Sequence, residues 1–416
     1  MSDKIKIFTI SDHPLSPSGV GTQTKYVIEG MLKTGKYQFI SFGGAIKHPD
    51  HNPQHTAEWG EDWIIWPVDG YGNQDMVRAM IHQNKPDILW FMTDPRFYTW
   101  LWMMEHEIRA HLPMVYYHVW DNYPYPTFNR PWYLANDHIA CISKLTHDIV
   151  QTVSPEVPSS YVPHAVDSEV FAPAQPSLVQ QFRRERNLEG KFVCFWNNRN
   201  ARRKQSGTLI FWFKEFLDKV GHDKACLIMH TDPKDVHGQD LEAIIHELGL
   251  TDGQILFSRD KVQPADLAVV YNMVDLTINI SDAEGFGLAT LESMSCGTPI
   301  LVNMTGGLQD QVTDGKRWFG KGLTPSSKAI IGSQDVPYIY EDRLNKEEFL
   351  EALTEMYEMD PIERAKLGAS ARQWTQKQFN FESFTRRWDE ILTNVYETNG
   401  SWDSRKNYTS YNVKEY

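Results

Sequence analysis

The chain has 416 residues, 41% apolar and 23% charged, enough for two or three domains with substantial cores. Its formal net charge of −13 excludes a surface built to neutralise a long polyanion or an anionic membrane, so any phosphate site is local. The four cysteines (Cys141, Cys194, Cys226, Cys296) show no C-x-x-C pairing, and buried free thiols in a reducing compartment are expected.

The opening MSDKIKIFTIS lacks the apolar core of a secretory signal. The longest apolar candidate, ILWFMTDPRFYTWLWMM, is broken by Asp94, Pro95 and Arg96, so no transmembrane segment and a cytoplasmic location are expected. Strand-like runs then follow in series: IKIFTIS, YQFISFG, DWIIWPV, DILWFMT, MVYYHVW, HIACIS and SSYVPHAV. After FAPAQPSLVQQFRRERNLEG, at residues 171–190, a second series begins with FVCFWNN, ACLIMHT, QILFSRD, LTINIS and PILVNM. Several runs are apolar throughout, as strands covered on both faces are, and helical patterns separate them. The fold class is therefore α/β, with two doubly wound parallel-sheet domains of similar size on either side of a cleft and a boundary near 170–185. Residues 345–396 read as three helices, and the end, ETNGSWDSRKNYTSYNVKEY, as a polar, Tyr-rich tail.

The chemistry concentrates in SDAEGFGLATLE, residues 281–292. A strand, LTINIS, ends there, and GFG opens a helix whose free N–H groups and positive dipole end suit a phosphate. Gly285 and Gly287 let a ligand approach the backbone closely. Glu284 stands just before the helix, at its mouth, and Glu292 lies about one and a half turns inside it, about 8 Å along the axis. A nucleotide sugar fits two such acceptors, one for sugar hydroxyls and one for ribose hydroxyls, with the phosphates between. A plain capped helix with acids near its positive end fits the stretch as well. Arg199 and Lys204 follow the strand FVCFWNN and can face one set of phosphates, while Arg202 and Arg203 read as a solvated basic loop. Gly19, Val20 and Gly21, in SPSGVG after the first strand, offer backbone amides to a phosphate or sugar. Thr305–Gly307 is another tight backbone approach, and His118 stands at a strand end among aromatics and an acid.

Taken in order, these stretches resemble the retaining glycosyltransferases of the GT-B fold, in particular the GT4 family (glycosyl transferases group 1). EGFGLATLE resembles its E-x7-E motif, Arg199 and Lys204 its Arg-x4-Lys pair, and SPSGVG its opening loop. GGLQDQVTDG resembles the motif's continuation, YVPHAVDSEVF the end of the first domain, and FNFESFTRRWDEIL its closing helix. Departures are His164 and Ala165 where Asn and Gly are usual, Asp310 where Glu is usual, and an FSRD loop without its glycine.

The resemblance implies residues 1–175 as an acceptor-side Rossmann-like domain and 176–380 as a donor domain. Residues 381–416 would be a helix crossing back to the first domain plus the polar tail. Glu284 would hold the donor sugar, Glu292 the ribose, and Arg199 and Lys204 the leaving diphosphate, beside backbone amides of Phe286, Gly287 and Leu288. Gly19, Val20 and Gly21 would close over the donor, and His118 would sit at the reacting centre. The expected activity is a metal-independent, retaining hexosyl transfer from a UDP- or GDP-sugar, such as UDP-glucose, to a hydroxyl acceptor. The nucleotide sugar is a co-substrate, and no cofactor is implied. Residues 1–170 carry 12 Lys plus Arg against 19 Asp plus Glu, which disfavours a lipid or nucleic-acid acceptor. Acceptors left open are a glycan, a small molecule or a modified DNA base, the last as in viral enzymes acting on hydroxymethylated bases, with Trp120, Tyr123 and Tyr125 as base-holding rings. Other readings are a non-catalytic nucleotide-sugar binder and a phosphorylase or epimerase of the same fold.

Overall fold

The computed structural model describes residues 4–409, so residues 410–416 of the expected tail lie outside the described residues. The chain divides into two compact units, one of Met1–Ala165, Gly332–Tyr338 and Phe381–Tyr416, the other of Val166–Ile331 and Ile339–Asn380.

In the first unit the strands are β1 (Ile5–Asp12), β2 (Tyr37–Gly44), β3 (Gln54–His55), β4 (Trp63–Pro67), β5 (Ile88–Met92), β6 (Met114–His118), β7 (His138–Cys141) and β8 (Ser159–Tyr161). They form one sheet in the order β3-β4-β2-β1-β5-β6-β7-β8, parallel except where β3 meets β4. Every residue of β5 and β6 is buried, which is why ILWFM and MVYYH are apolar and aromatic without alternation. The helix Phe381–Asn399 completes this core. Its Trp388, fully buried, meets Trp90 and Tyr117 edge-on at centroid distances of 5.7 and 4.9 Å. Tyr37 donates its hydroxyl to Asp389 at 2.7 Å, and Lys36 pairs with the same carboxylate at 2.7 Å.

In the second unit, β9 (Phe192–Asn197), β10 (Ala225–His230), β11 (Ile255–Ser258), β12 (Leu276–Asn279), β13 (Ile300–Asn303) and β14 (Lys321–Leu323) form a parallel sheet ordered β11-β10-β9-β12-β13-β14. Trp196, Phe213 and Leu353 are among its fully buried core residues. β15 (Ser327–Ile331) and β16 (Ile339–Arg343) pair as a separate antiparallel hairpin. All four cysteines are free and buried. Among the described residues no helix is long and apolar enough to cross a membrane.

Both sheets place their strand ends where a doubly wound fold binds ligands. In the first unit Ser18 caps the helix Gly19–Lys33, accepting from the Gly21 amide at 2.9 Å. Gly19, Val20 and Gly21 are thus its first turn. A Cβ on Gly21 would lie 2.6 Å from the His13 carbonyl oxygen, so this glycine lets the helix pack against the loop after β1.

Candidate active site

β12 ends at Asn279, and the chain turns through Ser281–Gly287 into the helix Leu288–Ser295. Gly287 makes that turn with φ +89°, and a Cβ there would meet the Leu308 side chain at 2.5 Å. Gln311 then fixes the turn, its amide nitrogen donating to the carbonyls of Phe286 at 2.7 Å and Gly287 at 2.9 Å. In a trans peptide the amide points opposite to the carbonyl, so the N–H groups of Gly287 and Leu288 face away from Gln311. Phe286 is buried, edge-on to Phe379 at 5.8 Å. Gly307 packs closely on this turn, its amide donating at 3.2 Å to the Glu284 and Gly285 carbonyls.

Glu284 is the centre of this turn. Its carboxylate pairs with Lys204 and accepts from the Asn279 side chain at 3.1 Å. Burial pushes its pKa up, but the charges of Lys204 and Arg203, with the hydrogen bonds of Lys204 and Asn279, outweigh this and hold it below the ordinary range. Arg203 also donates to the Ala283 carbonyl, and the Arg203 carbonyl accepts from the Asp282 amide at 2.8 Å. It therefore belongs to the site rather than to a solvated loop. Arg202 is no free surface charge either, because it pairs with the buried Glu341. Arg343 bridges Glu341 at 2.8 Å and Asp282 at 2.7 Å. Four cations, Arg202, Arg203, Lys204 and Arg343, thus meet three carboxylates, Asp282, Glu284 and Glu341, a locally positive balance within a strongly acidic chain. Burial, with Glu341 close by, pushes Asp282 up to about 6 against the opposing pull of Gln205, Arg343 and Arg202.

Glu292, in the second turn of the helix, accepts from the Tyr271 hydroxyl at 2.8 Å, and that hydroxyl accepts from Asn197 at 2.9 Å. This chain of bonds ties Glu292 to the end of β9. Burial pushes Glu292 up to about 7, only partly offset by Tyr271. A carboxyl group raised in the folded state stabilises it fully below the unfolded pKa, here the ordinary 4.5, and that contribution disappears as pH rises through about 7. Glu292→Gln is therefore expected to gain stability relative to the parent between pH 5 and pH 8, by on the order of 2 kcal/mol. Urea unfolding of both proteins at those two pH values measures this, and equal differences at both would show that Glu292 is not held protonated.

Two expected members of the site are placed otherwise. Arg199 does not join the Glu284–Lys204 pair. Its guanidinium is 61% exposed and pairs with Asp235 at 2.6 Å, because the loop after β10 lies beside the loop after β9. Asn200 joins these loops, donating to the Gln239 carbonyl at 2.7 Å and accepting from Ser206 at 2.7 Å. His118 is fully buried. One ring nitrogen bonds the Tyr133 hydroxyl at 2.8 Å, the other accepts from the Trp120 amide at 3.2 Å, and Tyr116 stacks on the ring at 5.0 Å. Burial pushes its pKa down to about 3, so it is a neutral core histidine rather than a group presented to a ligand. Trp120 is buried too, donating to the Asn122 carbonyl, while Tyr123 and Tyr125 both donate to Asp148; these three do not form an open slot for a flipped base.

Residues 180–374 match the family described as Glycosyl transferases group 1. The D-inositol 3-phosphate glycosyltransferase of Corynebacterium jeikeium is 29% identical over 159 residues, covering 37% of this chain and 38% of that protein. The GDP-mannose-dependent alpha-(1-6)-phosphatidylinositol monomannoside mannosyltransferase of Mycolicibacterium smegmatis is 24% identical over 264 residues, 62% of each chain. The matched stretches thus span less than two thirds of these relatives. Among solved structures, sucrose-phosphate synthase from Thermosynechococcus elongatus superposes with a TM-score of 0.75 at 16% identity, covering 95% of this chain and all of that one. Anabaena HepE in complex with UDP and glucose gives 0.69 at 15% identity, over 94% and 100% of the two chains. Residues 180–374 are a Glycosyl transferases group 1 domain, carried on a chain with the GT-B fold.

Proposed function

We propose that this protein is a retaining, metal-independent glycosyltransferase that moves a sugar from a nucleotide-diphosphate donor, a UDP- or GDP-sugar, to a hydroxyl acceptor. The observation that carries this reading is the Glu284–Lys204 pair at the mouth of the helix Leu288–Ser295, with Arg203 beside it and Glu292 one turn further in. In this reading Lys204 and the amides of Gly287 and Leu288 meet the diphosphate, where negative charge grows as the leaving bond breaks. Glu284 accepts from sugar hydroxyls and Glu292 from the ribose. In this reading Arg199 exchanges Asp235 for phosphate when the donor binds, while Lys204 keeps Glu284 and turns its remaining donors to the diphosphate. The C. jeikeium and M. smegmatis relatives, one of them GDP-mannose-dependent, and the UDP and glucose bound to HepE support this donor class.

Thermal unfolding against a panel of UDP-, GDP- and ADP-sugars tests the reading. A donor at 100 times its dissociation constant is expected to add about 2.7 kcal/mol to folded stability. A shift with a UDP- or GDP-sugar names base and sugar together; no shift with any member of the panel would overturn the donor assignment.

A further inference from the structure

The hairpin β15–β16 lies outside both parallel sheets, yet β16 carries two of the charged groups packed around the catalytic turn. Glu341 is 1% exposed. A carboxylate buried to that degree is costly unless it is paired and hydrogen-bonded. Arg202 supplies both terminal guanidinium nitrogens and Arg343 a third donor at 2.8 Å. The other terminal nitrogen of Arg343 reaches Asp282 at 2.7 Å. The backbone adds a second tie, since the Asp342 amide donates to the Asp282 carbonyl at 2.8 Å. Asn303, at the end of β13, donates to the carbonyls of Ser281 at 2.9 Å and Asp342 at 3.0 Å, and so joins β16 to the same turn.

These bonds grip both sides of one pair. Arg202 opens the short turn Arg202–Lys204 that ends in Lys204, and Asp282 stands two residues before Glu284. We propose that Glu341 and Arg343 of β16 are positioning residues for sugar transfer, setting the geometry in which Lys204 meets Glu284. The inference rests on the glycosyltransferase reading above. A hairpin present only for stability would need no buried carboxylate here, because apolar residues fill such a place at no loss. Here Glu341 instead fixes two guanidinium groups, one belonging to the first residue of the turn Arg202–Lys204 and the other bridging on to Asp282.

The test uses hydrolysis of the UDP- or GDP-sugar that stabilises the protein, in which water takes the sugar in place of the acceptor and the nucleoside diphosphate is released. Glu341→Gln is expected to lower kcat by on the order of ten- to a hundredfold, the effect of misplacing a reacting group by about 1 Å. Binding of the nucleoside diphosphate alone is expected to change by less than about threefold, since the turn's amides and Glu292 remain. In a Glu284→Gln background the same change is expected to add less than about twofold, because residues acting through one group are not additive. Arg343→Lys, which keeps the charge but loses the two-carboxylate bridge, is expected to fall between the parent and Glu341→Gln, and it carries the test should Glu341→Gln not fold. Unchanged kcat in a folded variant, or losses that multiply with that of Glu284→Gln, would overturn the inference. A parent protein that is stabilised by no donor and releases no diphosphate would instead overturn the glycosyltransferase reading.

Discussion

Glu284→Gln is expected to leave the fold standing and to cut turnover by about 10²–10³-fold, the usual effect of removing one preorganised polar group from the reacting centre. Glutamine keeps an oxygen that can accept from Lys204 and from Asn279, which bonds the native carboxylate at 3.1 Å, so little packing changes. What it removes is the negative charge that pairs with Lys204 and that, in the proposed reading, accepts sugar hydroxyls. Lys204→Met is the contrasting variant. Both partners are nearly buried, with side-chain exposures of 9% and 12%, and stripping the cation leaves a carboxylate with weaker compensation. Breaking a buried pair from one side costs about 3–5 kcal/mol. Glu284→Gln, which keeps an oxygen for Lys204, is expected to lose the smaller part of that, and Lys204→Met, which leaves no donor in its place, to lose the larger part as well as turnover. Thermal unfolding with a diphosphate-release assay separates the two variants. A folded Glu284→Gln protein with parental turnover would remove Glu284 from the reaction.

The second large effect is on stability, in the first unit. Asp137, its side chain 2% exposed, holds Arg109 at 3.0 Å and Arg405 at 3.0 Å. It also accepts from the Met114 amide at 2.9 Å and from Asn399 at 3.3 Å. One carboxylate thereby joins the start of β6, the helix Glu105–Arg109 and the segment after the last helix. Arg109 retains Glu105 when Asp137 is removed, but Arg405, only 5% exposed, has no second carboxylate among its bonds. Asp137→Ala is expected to cost about 3–5 kcal/mol, which lowers the midpoint for a unit of this size by on the order of 10 °C. Arg405→Ala is expected to reproduce part of that loss, and the double variant to lose less than the sum. A drop below about 2 °C for Asp137→Ala in differential scanning calorimetry would show that this cluster does not hold the unit together.

The central parallel strands were legible because they are buried on both faces and read as unbroken apolar runs. FVCFWN and ACLIMH fall on β9 and β10 as predicted, and ILWFM and MVYYH on β5 and β6. β14 and the β15–β16 hairpin were not legible. KGL is three residues at a sheet edge, and SKAII is largely exposed, so neither carries a hydrophobic period. The site divides in the same way. The carboxylates Glu284 and Glu292 and the glycine turn are local in sequence, and the spacing of one helix sets them. Arg203, Glu341 and Arg343 become part of the site only through long-range pairing, and nothing in RRK or YEDR marks it. His118 shows the opposite error: a polar residue at a strand end looks available in sequence, but Tyr116, Tyr133 and the Trp120 amide enclose it.

The helix Phe381–Asn399 supplies Trp388 to the core between Trp90 and Tyr117, although most of the second unit is threaded between it and Ala165, where the amino-terminal part of the first unit ends. During synthesis the chain emerges amino terminus first. The second unit, contained between Val166 and Asn380, has all its residues available before the first unit does. The part made first is therefore the part finished last, and it waits on the ribosome with the Trp90–Tyr117 face uncovered until the final helix arrives. A chain cut short before Phe381 would keep the second unit whole and leave the Trp90–Tyr117 face of the first uncovered, a natural substrate for chaperones.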